Sequence, residues 1–372
     1  MSIRFDLSEG QALVQRTVRD VLERECPESL VREAEESGFG HSPALWQKLG
    51  ETGFLGLGIP EAYGGDGSFF DLGVFFEEAG RVLMPGPQLA TLAIAGQLIV
   101  AEGTEEQKLR LLPAIASGGA IIALALNERD GECRPEHVET RARRDGDAYV
   151  IDGTKQFIKD TPAATHLLVV ARSEDGFVNA LVPIDAPGVS VRRFRVLSGD
   201  MLAEVQLDSV RVAAGDVIGA PARGLAALAH ALDRGKACLA AQMAGAADAL
   251  MRKTVDYMNE RVTFGRPISS YQALQHRMSQ IAILVYGARH LAYNVLWRLS
   301  EGTECAGEVA QAKFFASDAY RQTTNESLQF HGAYGYSLEY AVQLYWRRMR
   351  LDEVVLGDSF LEREAAAQAL GI

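Results

Sequence analysis

Between residues 120 and 222 the hydrophobic repeat of this chain leaves helical spacing for short, separate apolar runs, and it returns to helical spacing afterwards. The runs are AIIALALNE, VETRARR, AYVIDGTKQFI, THLLVVAR, FVNALVPI, VSVRRF and AEVQLDSVRV. They are rich in β-branched residues, and Asp-Gly pairs separate several of them, as in RRDGDAY and VIDGTK. Seven strand candidates with no helix between them do not suit a doubly wound sheet, which needs alternating helices. They predict an antiparallel barrel or sandwich.

The flanks read as helices. Ser8 with Gln11 forms a capping box ahead of Leu13, Val14, Val18, Val21 and Leu22. Ser42-Pro43 begins a second helix in the N-cap/N1 arrangement, which GETGFLGLG ends. PEAYGGDG is a loop, Asp71 opens the helix LGVFFEEAGRVL, and Thr104 with Gln107 caps one that runs out at Ser117-Gly118-Gly119. Past residue 222 comes a helical stretch of about 38 residues, ~57 Å at 1.5 Å per residue. Stretches at 271–299, about 306–330 and 341–356 follow, and long helices joined by short loops predict a four-helix bundle. The expected fold is α+β and multidomain: an N-terminal helical domain (1–119), a middle antiparallel β-barrel domain (120–222) and a C-terminal four-helix-bundle domain (223–372).

Composition narrows the function. Apolar residues at 48% and charged residues at 23% are those of a soluble globular protein, and no apolar run is long enough to span a bilayer. MSIRFDLSEGQ lacks the apolar stretch of a signal peptide. Cys26, Cys133, Cys238 and Cys305 are dispersed, form no CxxC, and read as free thiols in a reducing cytoplasm. A net charge of −12 without a basic cluster argues against nucleic-acid binding; RRMR reads as a solvated or interface helix face. There is no GxGxxG after a strand, no GxxxxGK[ST], no GxSxG elbow and no metal spacing among the seven histidines. YGGDGSFF is read as a structural turn, and His276 and His331 as structural or interface residues.

One stretch gathers chemistry: YMNERVTFGRPISSYQALQHR. Arg261 lies at a helix end, Thr263, Phe264, Gly265 and Pro267 form the turn, and Gln272 lies in the first turn of the next helix. A guanidinium suits bidentate phosphate contacts, and an aromatic face can cover an adenine or ribose. Taken alone, the stretch is also compatible with an ordinary helix–turn–helix corner.

Three motifs make it more specific. LGETGFLGLGIPEAYGGDG, ERVTFGRPISSYQALQ and ESLQFHGAYGYSLEYAVQLYWR resemble, in order, three stretches of the acyl-CoA dehydrogenase family. The resemblance covers essentially the whole chain. It implies a helical domain, a β domain and a four-helix bundle, assembled as tetramers of paired subunits with FAD at a subunit interface. In the family a glutamate removes the α-proton of an acyl-CoA and the β-hydrogen passes as hydride to the flavin. The flavin ring rests on one subunit's β domain, and the bundle of the neighbour grips the ADP half. The resemblance assigns Arg261, Thr263, Phe264 and Gln272 to that clamp, with Gln329 and Gly332 in its second loop, where Ala333 replaces a usual glycine.

The flavin-ring side departs from the family. Its TEP-aGSD segment is here LNERDGECR, with Asn127, Glu128 and Arg129, and its WITN segment is Phe157-Ile158-Lys159-Asp160. The base is absent too: the family's two base positions carry Leu356 and Gly235, neither able to take a proton. The expectation is a subunit without its own base that lends an ADP clamp to a second, base-bearing dehydrogenase subunit in an α2β2 heterotetramer. Such pairs act in the family on steroid side chains and dicarboxylic acyl-CoAs, with electrons passing to an acceptor such as electron-transfer flavoprotein. Two alternatives stand beside it: a self-sufficient homotetramer with Asp358 or Asp233 as a displaced base, and a non-redox acyl-CoA-binding or scaffold protein.

Overall fold

The structure is a computed structural model that describes residues 7–129 and 133–372. Its first helices are α1 (Glu9–Glu25), α2 (Glu28–Ser37), α3 (Pro43–Glu51), α4 (Phe69–Arg81), α5 (Gln97–Glu102) and α6 (Glu105–Ala116). Three of them start where the side-chain chemistry demands. The Ser8–Gln11 and Thr104–Gln107 capping boxes both close reciprocally, and Ser42 caps α3 with Pro43 behind it. Helix α4 begins two residues before Asp71, because Ser68 is the capping residue. The Asp71 carboxylate accepts from the Ser68 N–H and hydroxyl, both at 2.7 Å.

All seven strand candidates form strands: β1 (Ile122–Ala125), β2 (Arg141–Asp145), β3 (Ala148–Lys159), β4 (His166–Ser173), β5 (Gly176–Pro183), β6 (Val189–Arg195) and β7 (Met201–Ala213). They make one sheet in the order β1-β4-β2-β3-β7-β6, with β5 paired to β4. Four pairings are antiparallel, but β1 runs parallel to β4 from Ile122↔His166 to Ala125↔Val169, and β2 meets β4 in parallel at Arg141↔Arg172. The sheet is therefore mixed and not purely antiparallel. A parallel pair needs a long connection, and the 40 residues from 126 to 165 between β1 and β4 supply it. Its core includes Ile151, Leu167, Val169, Val178, Val182, Val205 and Val210, all fully buried.

Helix α7 (Gly224–Glu260) is followed by the two-stranded ribbon β8 (Val262–Thr263) and β9 (Arg266–Pro267). Then come α8 (Gln272–Ser300), α9 (Ala306–His331), α10 (Ala333–Tyr336), α11 (Val342–Asp352) and α12 (Ser359–Ala369). Helix α11 ends four residues before the pattern at 341–356 predicts, and the turn beyond it runs to a left-handed Leu356 (φ +61°).

By compactness the chain groups into two units. One comprises residues up to 31, 73–84 and 236–372; the other comprises 32–72 and 85–235 and contains the sheet. In the helical unit a ladder of charges binds α1, α4 and α7: Arg19 to Glu78 at 2.7 Å, then Arg81 to Glu78 at 3.4 Å and to Asp248, then Arg252 to Asp248 at 3.0 Å.

Candidate active-site and cofactor-clamp residues

Arg261, at the end of α7, donates its backbone N–H to the Tyr257 carbonyl at 2.8 Å, and its own carbonyl accepts from Ile268 at 2.8 Å. Between them β8 and β9 form a hairpin with Val262↔Pro267 and Thr263↔Arg266 in register. Phe264 (φ +48°) and Gly265 (φ +80°) are its two turn residues. Left-handed backbone at both positions is the geometry of a two-residue hairpin that matches strand twist, and Gly265 supplies the second without strain. The turn holds the Phe264 ring in solvent, 99% exposed. Tyr271 braces the hairpin from α8: its hydroxyl donates to the Thr263 carbonyl at 3.0 Å, and the Arg266 guanidinium lies 4.1 Å over its ring. Gln272, the first residue of α8, is exposed.

The second loop lies at the end of α9. Gln329 is exposed on its last turn, and Gly332 follows with φ +60° and ψ −134°, a conformation that side chains oppose. Ala333 opens the short α10 and needs no such conformation, so an alanine fits where the family usually has glycine. The rings of Tyr257 and His331 stack at 4.1 Å and 20°, which ties the end of α7 to the end of α9. Burial pulls the His331 imidazole below its usual range, and its Nδ1 donates to the Ser327 carbonyl at 2.8 Å. The two loops thus meet at one end of the bundle. A guanidinium, a hydroxyl, two amides and a free aromatic face form a donor set that suits a nucleotide diphosphate.

The corner at Leu356 has a different character. Leu356 is 5% exposed, and Gly357 follows at φ +107°. A Cβ on Gly357 would lie 2.4 Å from Glu362 Oε1, the movable end of that side chain, so it is the positive φ that favours glycine here. Asp358 is the N-cap of α12: one carboxylate oxygen accepts from the N–H groups of Phe360 and Leu361, both at 2.9 Å. Gly235 is buried within α7, and Asp233 is half-buried two residues earlier. Sequence reasoning missed Glu362, whose Oε1 pairs with Lys236 Nζ at 2.8 Å while its side chain is 4% exposed. It also missed Lys313, fully buried in α9. A signal exists for both: each is a charged residue on the buried stripe of its helix, Val309–Lys313–Ala316 in one and Ser359–Glu362–Ala366 in the other.

In the sheet unit, Asn127 accepts from the Cys133 thiol at 2.8 Å, while Arg129 is exposed. Asp130, Gly131 and Glu132 of the same segment lie outside the described residues. Glu128 turns inward. Its carboxylate accepts from Lys155 Nζ at 2.7 Å, from the Thr140 hydroxyl and N–H at 2.7 and 2.9 Å, and from the Glu139 N–H at 2.7 Å. Burial pushes the Glu128 carboxyl up, but the bonds from Lys155 and Thr140 outweigh it and hold the group below the usual carboxylate range. At the other segment the β3–β7 register slips between Lys155 and Ile158. There Phe157 takes φ +56° and packs edge-on against Phe194 at 6.4 Å. Lys159 bridges Asp160 and Asp200, each at 3.5 Å. Glu128 with Lys155, and Lys159 with Asp160 and Asp200, are thus turned on one another.

Models of the N-terminal, middle and C-terminal domains of acyl-CoA dehydrogenase match residues 8–119, 123–210 and 222–371. The chain belongs to the acyl-CoA dehydrogenase family. The family's cofactor is FAD and its reaction an FAD-dependent oxidation of acyl-CoA. Acyl-CoA dehydrogenase FadE12 of Mycobacterium tuberculosis is 33% identical over 328 residues, 84% of each chain. The butyryl-CoA dehydrogenase of Megasphaera elsdenii superposes with a TM-score of 0.93 over all of both chains at 25% identity. A Tcur3481-Tcur3483 steroid acyl-CoA dehydrogenase variant gives a TM-score of 0.89 at 29% identity over 98% of both. No described helix of this acyl-CoA dehydrogenase homologue is long and apolar enough to cross a membrane.

Proposed function

We propose that this chain is the non-catalytic subunit of an FAD-dependent acyl-CoA dehydrogenase, lending its nucleotide clamp to a base-bearing partner of the same fold. The observation that carries the reading is the Leu356 corner: the position of the family's base holds a buried aliphatic side chain, and the nearby Asp358 carboxylate is spent as a helix cap. Gly235, at the second base position, has no side chain to offer. Glu128, Lys155 and Lys159 satisfy their charges internally, which supports a flavin ring seated on the partner instead. FAD, when bound, supplies the hydride acceptor. This chain's part is binding: Arg261, Thr263, Phe264 and Gln272 would form the pyrophosphate and adenine clamp, with Gln329, Gly332 and Ala333 in its second loop. The partner then sets the acyl group. The steroid enzyme named for two components is consistent with a two-subunit assembly of this kind.

The test is to purify the chain alone and together with a base-bearing homologue of its own organism. The expected result is no flavin and no turnover alone, and one FAD shared per pair in an active complex. One FAD per subunit with turnover from the chain alone refutes the reading.

One observation favours a self-sufficient enzyme. Glu362 Oε2 is buried without a hydrogen-bond partner, beside Gly357. In that reading Glu362, and not Asp358, is the displaced base. Turnover by the lone chain that disappears in Glu362→Gln would establish it.

A further inference from the structure

Lys313 sits on the face of α9 that carries Val309 and Ala316, and its side chain has no solvent exposure. A buried ammonium is tolerated only where oxygens replace its water. Here four do: the carbonyls of Asp352 and Glu353 at 3.3 Å, the carbonyl of Gly357 at 3.2 Å and the Ser317 hydroxyl at 3.3 Å. The first two belong to the last turn and C-cap of α11. The third lies beyond the left-handed residue Leu356. One cation therefore gathers oxygens from both sides of the turn that occupies the family's base position.

Leu356 has no local reason to be left-handed: it is not glycine, asparagine or aspartate, and its own cost opposes the conformation. Such a residue persists only where the surroundings fix it. We propose that the Lys313 ammonium acts as a built-in monovalent cation that sets the backbone of the Leu356–Gly357 corner. Three carbonyls and a hydroxyl are the oxygen set that a bare alkali cation accepts in its place. The charged groups facing Lys313 are Glu362 on α12, Asp352 and Glu353 on α11, and Lys236 on α7. The three carboxylates favour its charged form, while burial and Lys236 oppose it, and burial is the largest influence. The inference holds whether or not the chain has catalytic turnover.

The test is amide exchange of the full chain at residues 353–357, with the α8 amides as an internal control for folding of the helical unit. In Lys313→Met the corner amides exchange faster by about tenfold or more, while the α8 amides are unchanged. In Lys313→Ala, ammonium or potassium restores the protection, and the bulkier tetramethylammonium at equal ionic strength does not. Protection of the corner in Lys313→Met within about twofold of wild type overturns the proposal. So does equal rescue by all three ions, or a Lys313→Ala variant that stays unfolded in ammonium and potassium alike.

Discussion

Replacing Lys155 with methionine isolates its buried ion pair with Glu128. The side chains are close in volume, so the change removes charge and donors with little cavity. It leaves the Leu126 carbonyl without the Lys155 Nζ that now lies at 3.1 Å, and leaves Glu128 without its cation. Removing one partner of a buried ion pair costs ~3–5 kcal/mol. Glu128 keeps the N–H groups of Glu139 and Thr140 and the Thr140 hydroxyl, each worth ~1 kcal/mol, so the expected loss is ~2–4 kcal/mol at neutral pH. Acid should shrink it. The folded Glu128 carboxyl lies below its ordinary value, so its contribution is complete above the unfolded carboxyl's pKa and fades as pH falls through the folded one. In the variant that depression is largely gone, so wild type and variant converge as both carboxyls protonate. Because the chain has two compact units, one midpoint would mix them. Exchange of the β4 amides in low urea reads the sheet unit directly. A loss under about 1 kcal/mol at neutral pH, or an equal loss in acid, would refute the assignment of this pair as a depressed, mutually dependent ion pair.

At Asp358, alanine should cost α12 about 1 kcal/mol by thermal melting while asparagine, an equally good N-cap, costs nearly nothing. Neither change should alter turnover of the reconstituted complex; a collapse in Asp358→Asn would return the residue to candidacy as a base. Phe264→Ala should leave stability within ~0.5 kcal/mol, because the ring touches solvent almost everywhere. The same change should weaken FAD retention by the paired complex roughly 5- to 100-fold, as loss of one stacking face does, measured by flavin release on dilution. Lys313 gives a pH signature of its own. Burial draws its ammonium down to about 8 from 10.5, so the unfolded chain binds more protons between those values and stability rises with pH across that window. Wild type should gain ~3 kcal/mol there relative to Lys313→Met in exchange of the α8 amides, which reads the helical unit; parallel profiles would contradict the burial of a titrating amine.

Elements whose causes lie within a few residues were readable in advance. Ser8 with Gln11, Thr104 with Gln107 and Ser42 with Pro43 start their helices through bonds spanning three residues. The seven strands announce themselves through β-branched runs and Asp-Gly turns. Which strands would pair was not readable. The parallel run of β1 on β4 joins residues more than 40 apart, and nothing in either run specifies the other's direction. The start of α4 shows a smaller limit of the same kind: Ser68 and Asp71 both suit a helix start, and the bond between them decides the residue.

The candidate site divides along the same line. The order Arg261, Thr263, Phe264, Gly265, Gln272 belongs to the sequence, because a two-residue hairpin between helices fixes what such a stretch can present. The resemblance assigned Gln329 to the same clamp, and the contact that joins the end of α9 to the end of α7 is the Tyr257–His331 stack, made by residues 74 positions apart. The absence of an ionisable group at Leu356 and Gly235 was likewise written in the chain. What stands around those positions was decided by tertiary structure alone: Asp358 bound to a helix end, Glu362 set against Lys236 across the fold, and Lys313 placed among the carbonyls of a turn 40 residues away. A charged side chain carries no mark of its eventual partner. Burial removes the water that would otherwise satisfy it, and only the packed fold determines which oxygen or nitrogen takes that water's place.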